Sequence, residues 1–71
     1  MSYYVITSDV KNKINTEGFF IEHEMETALD TLEEVVVKYF NDDYYPMEDG
    51  VIGYYNSNGD KVYLEEKTIN V

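Results

Sequence analysis

The chain contains a single histidine, His23, which lies between two glutamates, Glu22 and Glu24. This grouping could serve metal binding or acid–base chemistry. Adjacent side chains of a strand point to opposite faces, so neither carboxylate would share a face with the imidazole. Zinc and iron sites need several ligands, and the chain has no cysteine and no second histidine. We expect His23 to be a polar end of a strand, and we expect no metal site and no cofactor.

The serines and the remaining carboxylates predict no catalytic site either. Ser2, Ser8 and Ser57 have no neighbouring base that would activate a hydroxyl as a nucleophile. A general acid needs a pocket that raises its pKa, and a domain this small offers no obvious cleft. No glycine-rich phosphate loop occurs in the 71 residues. We therefore expect a protein that is not an enzyme.

One spacing matches part of a calcium loop. Five residues fall on positions 1, 3, 5, 6 and 12 of an EF-hand loop, namely Tyr54, Asn56, Asn58, Gly59 and Glu65. Tyrosine at the first position supplies no carboxylate, and the flanking residues have the pattern of strands, whereas an EF-hand is flanked by helices. We therefore expect no calcium site here. A looser cation site at the acids of residues 42–49 is left open, although no further pattern supports it.

The clearest pattern joins carboxylates to an amphipathic helix. Apolar residues recur at three- and four-residue spacing and predict a helix from about Glu26 to Phe40 that packs on a core. The residues of that apolar stripe are Met25, Ala28, Leu29, Leu32, Val35, Val36, Tyr39 and Phe40. The side away from the stripe carries a set that we call the acidic ridge. The acidic ridge consists of Glu26, Asp30, Glu33, Glu34 and Val37.

The acidic ridge has the spacing of a polyanion. Glu26 with Asp30, and Asp30 with Glu34, are like charges four residues apart, and each pair costs about 0.2–0.5 kcal/mol. Only Glu34 followed by Lys38 has the stabilising order. The four carboxylates span a rise of about 12 Å, so they average about 4 Å apart, near the roughly 3.4 Å between phosphates of one DNA strand. A merely solvated face is the ordinary alternative, but such faces usually mix both signs.

The segment after the helix adds further candidates. Pro46 disfavours a helical Tyr45, so residues 42–50 are predicted to form a loop. Its acids are expected to carry the negative charge past the C-terminal end of the helix, with two tyrosines between them that could contact the same partner. These candidate partner-binding residues are Asp42, Asp43, Tyr44, Tyr45, Glu48 and Asp49. The alternative for both tyrosines is that they fold back onto the core.

Composition limits the kind of protein to which these residues belong. There are 15 acids against five lysines and no arginine, a net charge of −10 that disfavours direct binding to nucleic acid. Hydrophobic residues at 44% and aromatic residues at 15% exceed what a disordered acidic tail contains, so residues 1–71 should fold as one domain. The chain lacks a basic N-terminal start and an apolar run of about 18 residues, which favours a cytoplasmic protein.

The elements around the helix are predicted to be four strands. Alternation predicts strands at residues 3–8 and 19–24. Residues 9–17 have no firm period, and they are expected to form a connection or the arm of a long hairpin. Thr27 with Asp30 is expected to cap the start of the helix, and Asn41 to end it. Two further runs flank a two-residue turn signal, Asn58-Gly59. The prediction is an α+β domain of order ββαββ, a four-stranded antiparallel sheet with the helix on one face.

The Asn58-Gly59 turn also predicts a register for the last hairpin. Tyr54 would pair with Tyr63, and Gly53 with Leu64. One face of the hairpin would then belong to the core and the other would meet water or a partner. The expected core face holds Val51, Gly53, Tyr55, Val62 and Leu64. The expected outer face holds Ile52, Tyr54, Tyr63 and Glu65.

The acidic ridge and the loop acids, carried on one small domain, resemble the small acidic inhibitors of host defence nucleases that phages and plasmids encode. These include anti-CRISPR and anti-restriction proteins that act as DNA mimics. The resemblance rests on Glu26, Asp30, Glu33, Glu34, Asp42, Asp43, Glu48 and Asp49 and involves no signature motif. It implies binding to a basic nucleic-acid-binding protein, such as a CRISPR-Cas effector, and no enzymatic activity.

Two further expectations concern the host and the alternative function. Phe, Tyr, Met, Ile, Asn and Lys total 30 residues against 6 for Gly, Ala, Arg and Pro, which indicates an AT-rich gene and so a low-GC bacterial host cell or its phages. The large net charge favours a monomer or a weak homodimer. The alternative function is a small interaction subunit that binds through an apolar or sheet-edge surface, with the acidity serving solubility only.

Overall fold

The computed structural model describes residues 1–70, and within that range the chain forms one α-helix and a five-stranded antiparallel sheet. The strands are β1 (Ser2–Val10), β2 (Lys13–Ile21), β3 (Tyr45–Pro46), β4 (Ile52–Tyr55) and β5 (Lys61–Thr68). A 3₁₀ helix, Glu22–Glu24, leads into the α-helix α1, Met25–Phe40. The spatial order is β2-β1-β5-β4-β3, so β2 and β3 are the edge strands. The predicted α+β class, with a helix on an antiparallel sheet, is confirmed.

The predicted number of four strands is wrong, because the fifth strand, β3, forms inside the predicted loop. Tyr45 pairs with Tyr55 and Pro46 with Tyr54. The next residue, Met47, donates its backbone N–H to the Gly53 carbonyl at 2.9 Å. Proline has no N–H to give to a ladder, so a strand that contains it occurs at an edge. The two-residue β3 therefore leaves this edge short.

The first hairpin has long arms, which is one of the two forms expected for residues 9–17. The nine-residue strands β1 and β2 join through Lys11-Asn12, and both residues have positive φ, 54° and 63°. Positive φ at two central residues is the geometry of a hairpin turn that matches strand twist. Of the two expectations for residues 9–17, the arm of a long hairpin is therefore confirmed and an irregular connection is wrong, since most of the segment is strand. The sequence gives only a weak signal for a turn at Lys11-Asn12. Asparagine is enriched at positive φ, but lysine rarely adopts it.

The predicted extension of the second strand to residue 24 is also wrong. β2 ends at Ile21, and His23 lies in the 3₁₀ helix that follows. The imidazole Nε2 is 4.0 Å from Glu24 Oε1, an approach that opposite faces of a strand would prevent. Both side chains are well exposed, so this contact contributes little to stability.

The helix begins at Met25, one residue before the predicted start, and ends at Phe40 as predicted. Its N-cap is Glu24 and no side chain makes a capping hydrogen bond, so the expected Thr27–Asp30 capping pair is wrong. Asn41 ends the helix as expected. At a φ of 57°, its backbone N–H donates to the Val37 carbonyl at 2.9 Å. Asparagine adopts positive φ more readily than most residues.

The core lies between α1 and one face of the sheet. Its buried residues are Ile6, Ala28, Leu32, Val35, Val36, Phe40, Val62 and Leu64. The helical members recur at three- and four-residue spacing, as the apolar stripe predicts. Leu29 is the exception, because it is 38% exposed and lines a cleft with Met47. A core of this size leaves a small domain only a modest reserve of stability.

The register of the last hairpin differs from the prediction by one residue. Tyr54 pairs with Val62, and three residues, 57–59, form the loop. The Asn56 carbonyl accepts the Gly59 N–H at 3.1 Å, and Gly59 has a φ of 86°. A turn followed by a residue at positive φ is the usual three-residue hairpin loop. The predicted two-residue turn at Asn58-Gly59 is therefore wrong.

This shift of one residue turns β4 over. Tyr54 lies partly buried against the core, so its neighbour Tyr55 points to the other face, which reverses the prediction for both. Gly53 is paired with Tyr63, where an added Cβ would lie 2.6 Å from the Tyr63 Cβ, so a larger residue does not fit. The core positions predicted on β5 are confirmed, namely Val62 and Leu64.

Candidate functional site

All members of the acidic ridge are exposed, on the side of α1 away from its buried residues. Asp30, Glu33, Glu34 and Val37 line one shallow depression, so the ridge is a continuous surface. Within residues 1–70, none of its four carboxylates makes an ion pair. Val37 is 52% exposed and supplies an apolar contact among the charges. The ridge therefore presents negative charge that the described lysines do not neutralise.

Lys38 does not pair with Glu34, although it follows that residue by four positions. Its Nζ lies 5.3 Å from the centroid of the Tyr39 ring, where a cation is attracted by the aromatic face. The described part of the chain contains no Glu34–Lys38 ion pair, although the two residues have the stabilising order. The acidic ridge consequently keeps a single sign of charge.

Tyr44 adds an aromatic ring beside the acidic ridge. It lines a shallow cleft with Glu33, Val37 and Tyr54. Its ring meets the Tyr54 ring edge to face, with centroids 5.4 Å apart. Because Tyr54 is packed against the core, this contact holds Tyr44 in place while leaving the ring exposed. Tyr44 is thus an aromatic contact point next to the carboxylates and is not folded into the core.

Tyr45 lies on the opposite side of the sheet. It is paired with Tyr55 across β3 and β4, and the two ring centroids are 5.7 Å apart. Directly paired residues share a face, and Tyr55 points away from α1. Tyr44 and Tyr45 are therefore separated by the sheet, although they are adjacent in sequence. Tyr45 is exposed, so it too is not folded into the core.

Two of the loop acids, Glu48 and Asp49, do not continue the acidic ridge past the end of α1. Met47 lines a cleft with Leu29 and Asp30, so the chain turns back along the helix after it ends. Glu48 and Asp49 follow Met47 directly and are exposed in the connection before β4. These two acids line a shallow cleft with Met47, Val51 and Tyr55, so they lie near the Tyr55 ring. The expectation that they extend the charge beyond the C-terminal end is wrong, because β3 pairs with β4 and reverses the chain.

Asp42 and Asp43 differ in their contacts. Asp43 Oδ2 accepts a hydrogen bond from the Ser57 hydroxyl and, at 3.3 Å, another from the Ser57 N–H. This carboxylate therefore joins the helix exit to the β4–β5 loop. Asp42 is exposed at the end of α1 and can meet a partner.

An apolar cleft of about 350 Å³ lies between α1 and the strands β3 and β4. Leu29, Met47 and Ile52 contribute apolar surface, and Asp30 and Glu33 from the acidic ridge line the same cleft. A long basic side chain suits such a place, since its aliphatic stem packs on apolar atoms while its charge stays near carboxylates. The ridge is thus bordered by apolar surface on this side.

The sequence analysis did not find Glu17. A β-bulge between Ile6 and Thr7 in the register leaves Glu17 without a partner on β1. Glu17 Oε1 accepts hydrogen bonds from the Tyr39 hydroxyl at 2.6 Å and the Ser8 hydroxyl at 2.9 Å. The Tyr39 bond chiefly lowers the pKa of Glu17, and it raises the pKa of Tyr39. Residues 9–17 show no regular alternation of apolar and polar residues, and the bulge lies within them. The sequence therefore does not indicate that Glu17 contacts Tyr39 and Ser8.

Two serines therefore meet carboxylates that are distant in sequence, contrary to the expectation that none has a base nearby. Ser8 donates to Glu17, and Ser57 donates to Asp43. Ser8 is fully buried, out of reach of a substrate. Both carboxylates connect separate parts of the fold, which is a structural use of these hydroxyl groups.

The EF-hand-like spacing folds as a hairpin. The Asn56 side-chain oxygen accepts two backbone N–H groups of its own loop, and Glu65 is paired with Lys67 at 2.9 Å. No group of three or more His or acidic residues in the described range is arranged to hold a metal ion. The looser cation site considered at residues 42–49 is therefore not supported.

The face of the sheet opposite α1 is a second exposed surface, which we call the open face. Its members follow from the strand pairing, because paired residues share a face and neighbours alternate. They are Tyr3, Val5, Thr7, Asp9, Ile14, Thr16, Phe19, Ile21, Tyr45, Gly53, Tyr55, Lys61, Tyr63, Glu65 and Lys67. No described helix packs over this face, although the β3–β4 connection lines a cleft there with Asp9, Lys61, Tyr63 and Glu65.

Comparison of the chain with protein-family models, with curated proteins and with solved structures finds no match. None of the described helices has the length and apolar character needed to cross a membrane. The functional argument therefore depends on two surfaces, the acidic ridge with Tyr44 and the open face.

Proposed function

We propose that the protein is a non-enzymatic inhibitor that binds a basic nucleic-acid-binding surface of a partner protein, such as the nucleic-acid groove of a CRISPR-Cas effector or another bacterial defence nuclease. The observation that carries this proposal is a row of four exposed carboxylates on one helix, none of them paired with a lysine in residues 1–70. The like charges at four-residue spacing work against helix stability. A function outside the fold accounts for such an arrangement better than a structural role does.

The acidic ridge would occupy the partner's groove in place of phosphates. Its carboxylates lie over about 12 Å of helix, a spacing close to that of successive phosphates along one strand. The field of a chain with net charge −10 speeds the encounter with a basic surface, and added salt weakens it. Val37 and Tyr44 supply apolar and aromatic contacts to partner side chains that otherwise pack against bases.

We divide the proposed partner-binding residues into a central group and a marginal group, according to their position relative to the acidic ridge. The central group consists of Glu26, Asp30, Glu33, Glu34, Val37 and Tyr44. The marginal group consists of Asp42, exposed at the end of the helix, and of Glu48 and Asp49, exposed in the β3–β4 connection. Asp43 and Tyr45 are left out, because Asp43 is bonded to Ser57 and Tyr45 belongs to the open face.

Reversing the charge of the acidic ridge tests the proposal. The wild-type protein should prevent a short labelled DNA duplex from binding to at least one effector in a panel of purified CRISPR-Cas and restriction nucleases. Fluorescence anisotropy of the duplex measures this inhibition. The variant with Asp30→Lys, Glu33→Lys and Glu34→Lys should lose at least about a hundredfold in inhibitory strength, because it places like charges against the basic groove.

A matched control separates the arrangement of charge from its total. Glu22→Lys, Glu24→Lys and Glu66→Lys reverse three exposed acids away from the ridge, and both triple variants have a net charge of −4. The control should keep inhibition within about tenfold, since it loses steering but no contact. Circular dichroism checks that both variants fold. Equal inhibition by the wild type and the folded ridge variant would overturn the proposal.

A second candidate function is a small interaction subunit that binds its partner through an apolar surface. The open face favours it, since Phe19 is 68% exposed there. Under this function, the ridge variant binds its partner as well as the wild type does, whereas Phe19→Glu prevents binding. The two variants therefore distinguish the two functions.

A further inference from the structure

The open face differs in charge from the rest of the molecule. Its strand positions carry two lysines and two acids, which are Lys61, Lys67, Asp9 and Glu65, and the exposed Glu48 and Asp49 border it near Tyr55. Lys67 and Glu65 form an ion pair at 2.9 Å, and this contact raises the pKa of Lys67. The net charge of −10 therefore belongs to the other surfaces, which include the acidic ridge.

The open face is also aromatic. Its rings are Tyr3, Phe19, Tyr45, Tyr55 and Tyr63. Phe19 is stacked on Tyr3 with centroids 5.1 Å apart, yet remains 68% exposed. Tyr45 and Tyr55 form a second exposed pair on the same face. Clustered exposed rings of this kind are typical of surfaces that bind protein.

We propose that a second copy of this chain covers the open face, in a homodimer that packs the two sheets face to face. A two-fold dimer uses the same patch on both copies, so that patch must be complementary to itself. The strand positions of the open face meet this requirement, because they carry lysines and acids in equal number. The acidic ridge is not complementary to itself, because the ridge of one copy would meet the same negative charges on the other.

Face-to-face packing also reduces repulsion between two chains of charge −10. The helix of each copy lies on the outer side of its own sheet, so the two acidic ridges point in opposite directions. Pairing of edge strands is less suited to this chain. β3 has only two residues and contains Pro46, and β2 is interrupted by the bulge at Glu17. Short strands, proline and bulges are features that prevent edge pairing.

The size of the open face suits a reversible dimer. The strands β1, β2 and β5 have eight or nine residues each, and β3 and β4 are short. With about 3.4 Å per residue and about 4.8 Å between strands, the face covers on the order of 500 Å² per copy. Two copies would bury on the order of 1,000 Å², the lower limit for a specific interface. This inference does not depend on the proposed inhibition.

Sedimentation equilibrium over a series of protein concentrations tests the dimer. The wild type should show a reversible monomer–dimer equilibrium that strengthens with added salt, because salt screens the repulsion between the two chains. Phe19→Glu should weaken association at least about tenfold, because it adds like charges to an apolar contact. Val37→Glu makes the same kind of change on the acidic ridge and should leave association unchanged.

A second measurement tests the geometry. The chain has no cysteine, so Glu34→Cys allows a single spin label on the acidic ridge. Outward-facing helices predict a distance of more than about 30 Å between the two labels, from the thickness of two sheets and two helices. A distance below about 20 Å would put the helices at the interface and overturn the proposal.

Other results would also overturn the dimer. One is a wild type that remains monomeric at every concentration and salt level tested. Another is association that persists when both Phe19→Glu and Tyr55→Glu are present in a folded protein. A third is a monomer in which Phe19→Glu removes only the binding of another protein, which would assign the open face to that protein instead.

Discussion

Glu17 connects the sheet to the last turn of α1 through one carboxylate oxygen. Tyr39 and the fully buried Ser8 both donate to that oxygen. Hydrogen bonds to a charged acceptor are stronger than those between neutral groups. The bulge makes them possible, since an extra residue in a strand redirects its side chain. This carboxylate contributes to the fold, whereas those of the acidic ridge work against it.

Replacing this carboxylate gives a prediction at the scale of one residue. Glu17→Gln should lower the free energy of unfolding by about 1–2 kcal/mol at neutral pH. The folded state lowers the pKa of Glu17 below its ordinary value of 4.5, so the unfolded chain binds the proton more readily. The charge therefore stabilises the fold above that value, and its contribution is lost as the pH falls through the lowered pKa. Denaturant unfolding across pH measures the difference.

The control for this prediction is Glu48→Gln, which removes an exposed carboxylate of the β3–β4 connection. It should change the free energy of unfolding by less than about 0.5 kcal/mol. If the difference between Glu17→Gln and the wild type stays constant down to strongly acidic pH, the ionised carboxylate is not the cause of the stabilisation.

At the scale of elements, α1 combines a well-packed side with a side of like charges. Its buried residues hold it on the sheet, and no side chain caps its start. Asp30 lies four residues from both Glu26 and Glu34, and all three are exposed. Packing of the apolar stripe therefore stabilises this helix more than its exposed residues do.

Changing the central charge should make the helix more stable. Asp30→Lys replaces two like-charge pairs with two opposite-charge pairs, for a gain of about 0.5–1 kcal/mol. The thermal midpoint should rise by about 3–6 °C at low salt for a domain of this size. Asp30→Asn removes the charge without creating new pairs and should gain about half as much. A gain that is unchanged in about 1 M salt would contradict the electrostatic cause.

The β4–β5 loop is held by contacts with two other elements. Asp60 Oδ1 accepts the Lys11 N–H of the first hairpin turn at 2.9 Å, and this bond together with Asn56 lowers the pKa of Asp60. Asp43, at the helix exit, accepts the Ser57 hydroxyl. These contacts, with the Asn56 side chain inside the loop, favour three loop residues over two. The register of β4 depends on them.

At the scale of the whole molecule, the two exposed surfaces have different charge. The acidic ridge is of one sign, whereas the strand positions of the open face carry two lysines and two acids. If both proposals hold, the dimer presents two acidic ridges on opposite sides, and one bound partner leaves the other ridge accessible. Binding to a basic groove would weaken with salt, whereas dimer formation would strengthen.

The total charge itself predicts how stability responds to salt. A chain with 15 acids and five lysines repels itself when compact, and residues 1–70 contain a single lysine–carboxylate ion pair that salt could weaken. The thermal midpoint should therefore rise as ionic strength increases to about 0.15 M, where the Debye length is about 8 Å. The measurement is made at a concentration where the chain is monomeric. The triple ridge variant, with a net charge of −4, should show a smaller rise, and a fall for the wild type would contradict the prediction.

The sequence by itself determined the helix and the side that it buries. The apolar stripe spans four turns, and hydrogen bonds within a helix join residues four apart, so its bounds were predicted to within one residue. The same local geometry predicted that the ridge carboxylates would lie together and that Val62 and Leu64 would face the core. The α+β class followed from these elements.

Only the tertiary structure decided which side of the sheet β4 presents, where the loop acids lie and what Glu17 does. Each depends on contacts between segments distant in sequence. Asp60 with Lys11 favours the three-residue loop, and pairing of β3 with β4 turns the chain back along α1. A strand has a side-chain period of two, so a change of one residue in a loop exchanges its faces. Local patterns therefore predicted the acidic ridge, whereas long-range contacts determined that Tyr44 lies beside it and that Tyr45 belongs to the open face.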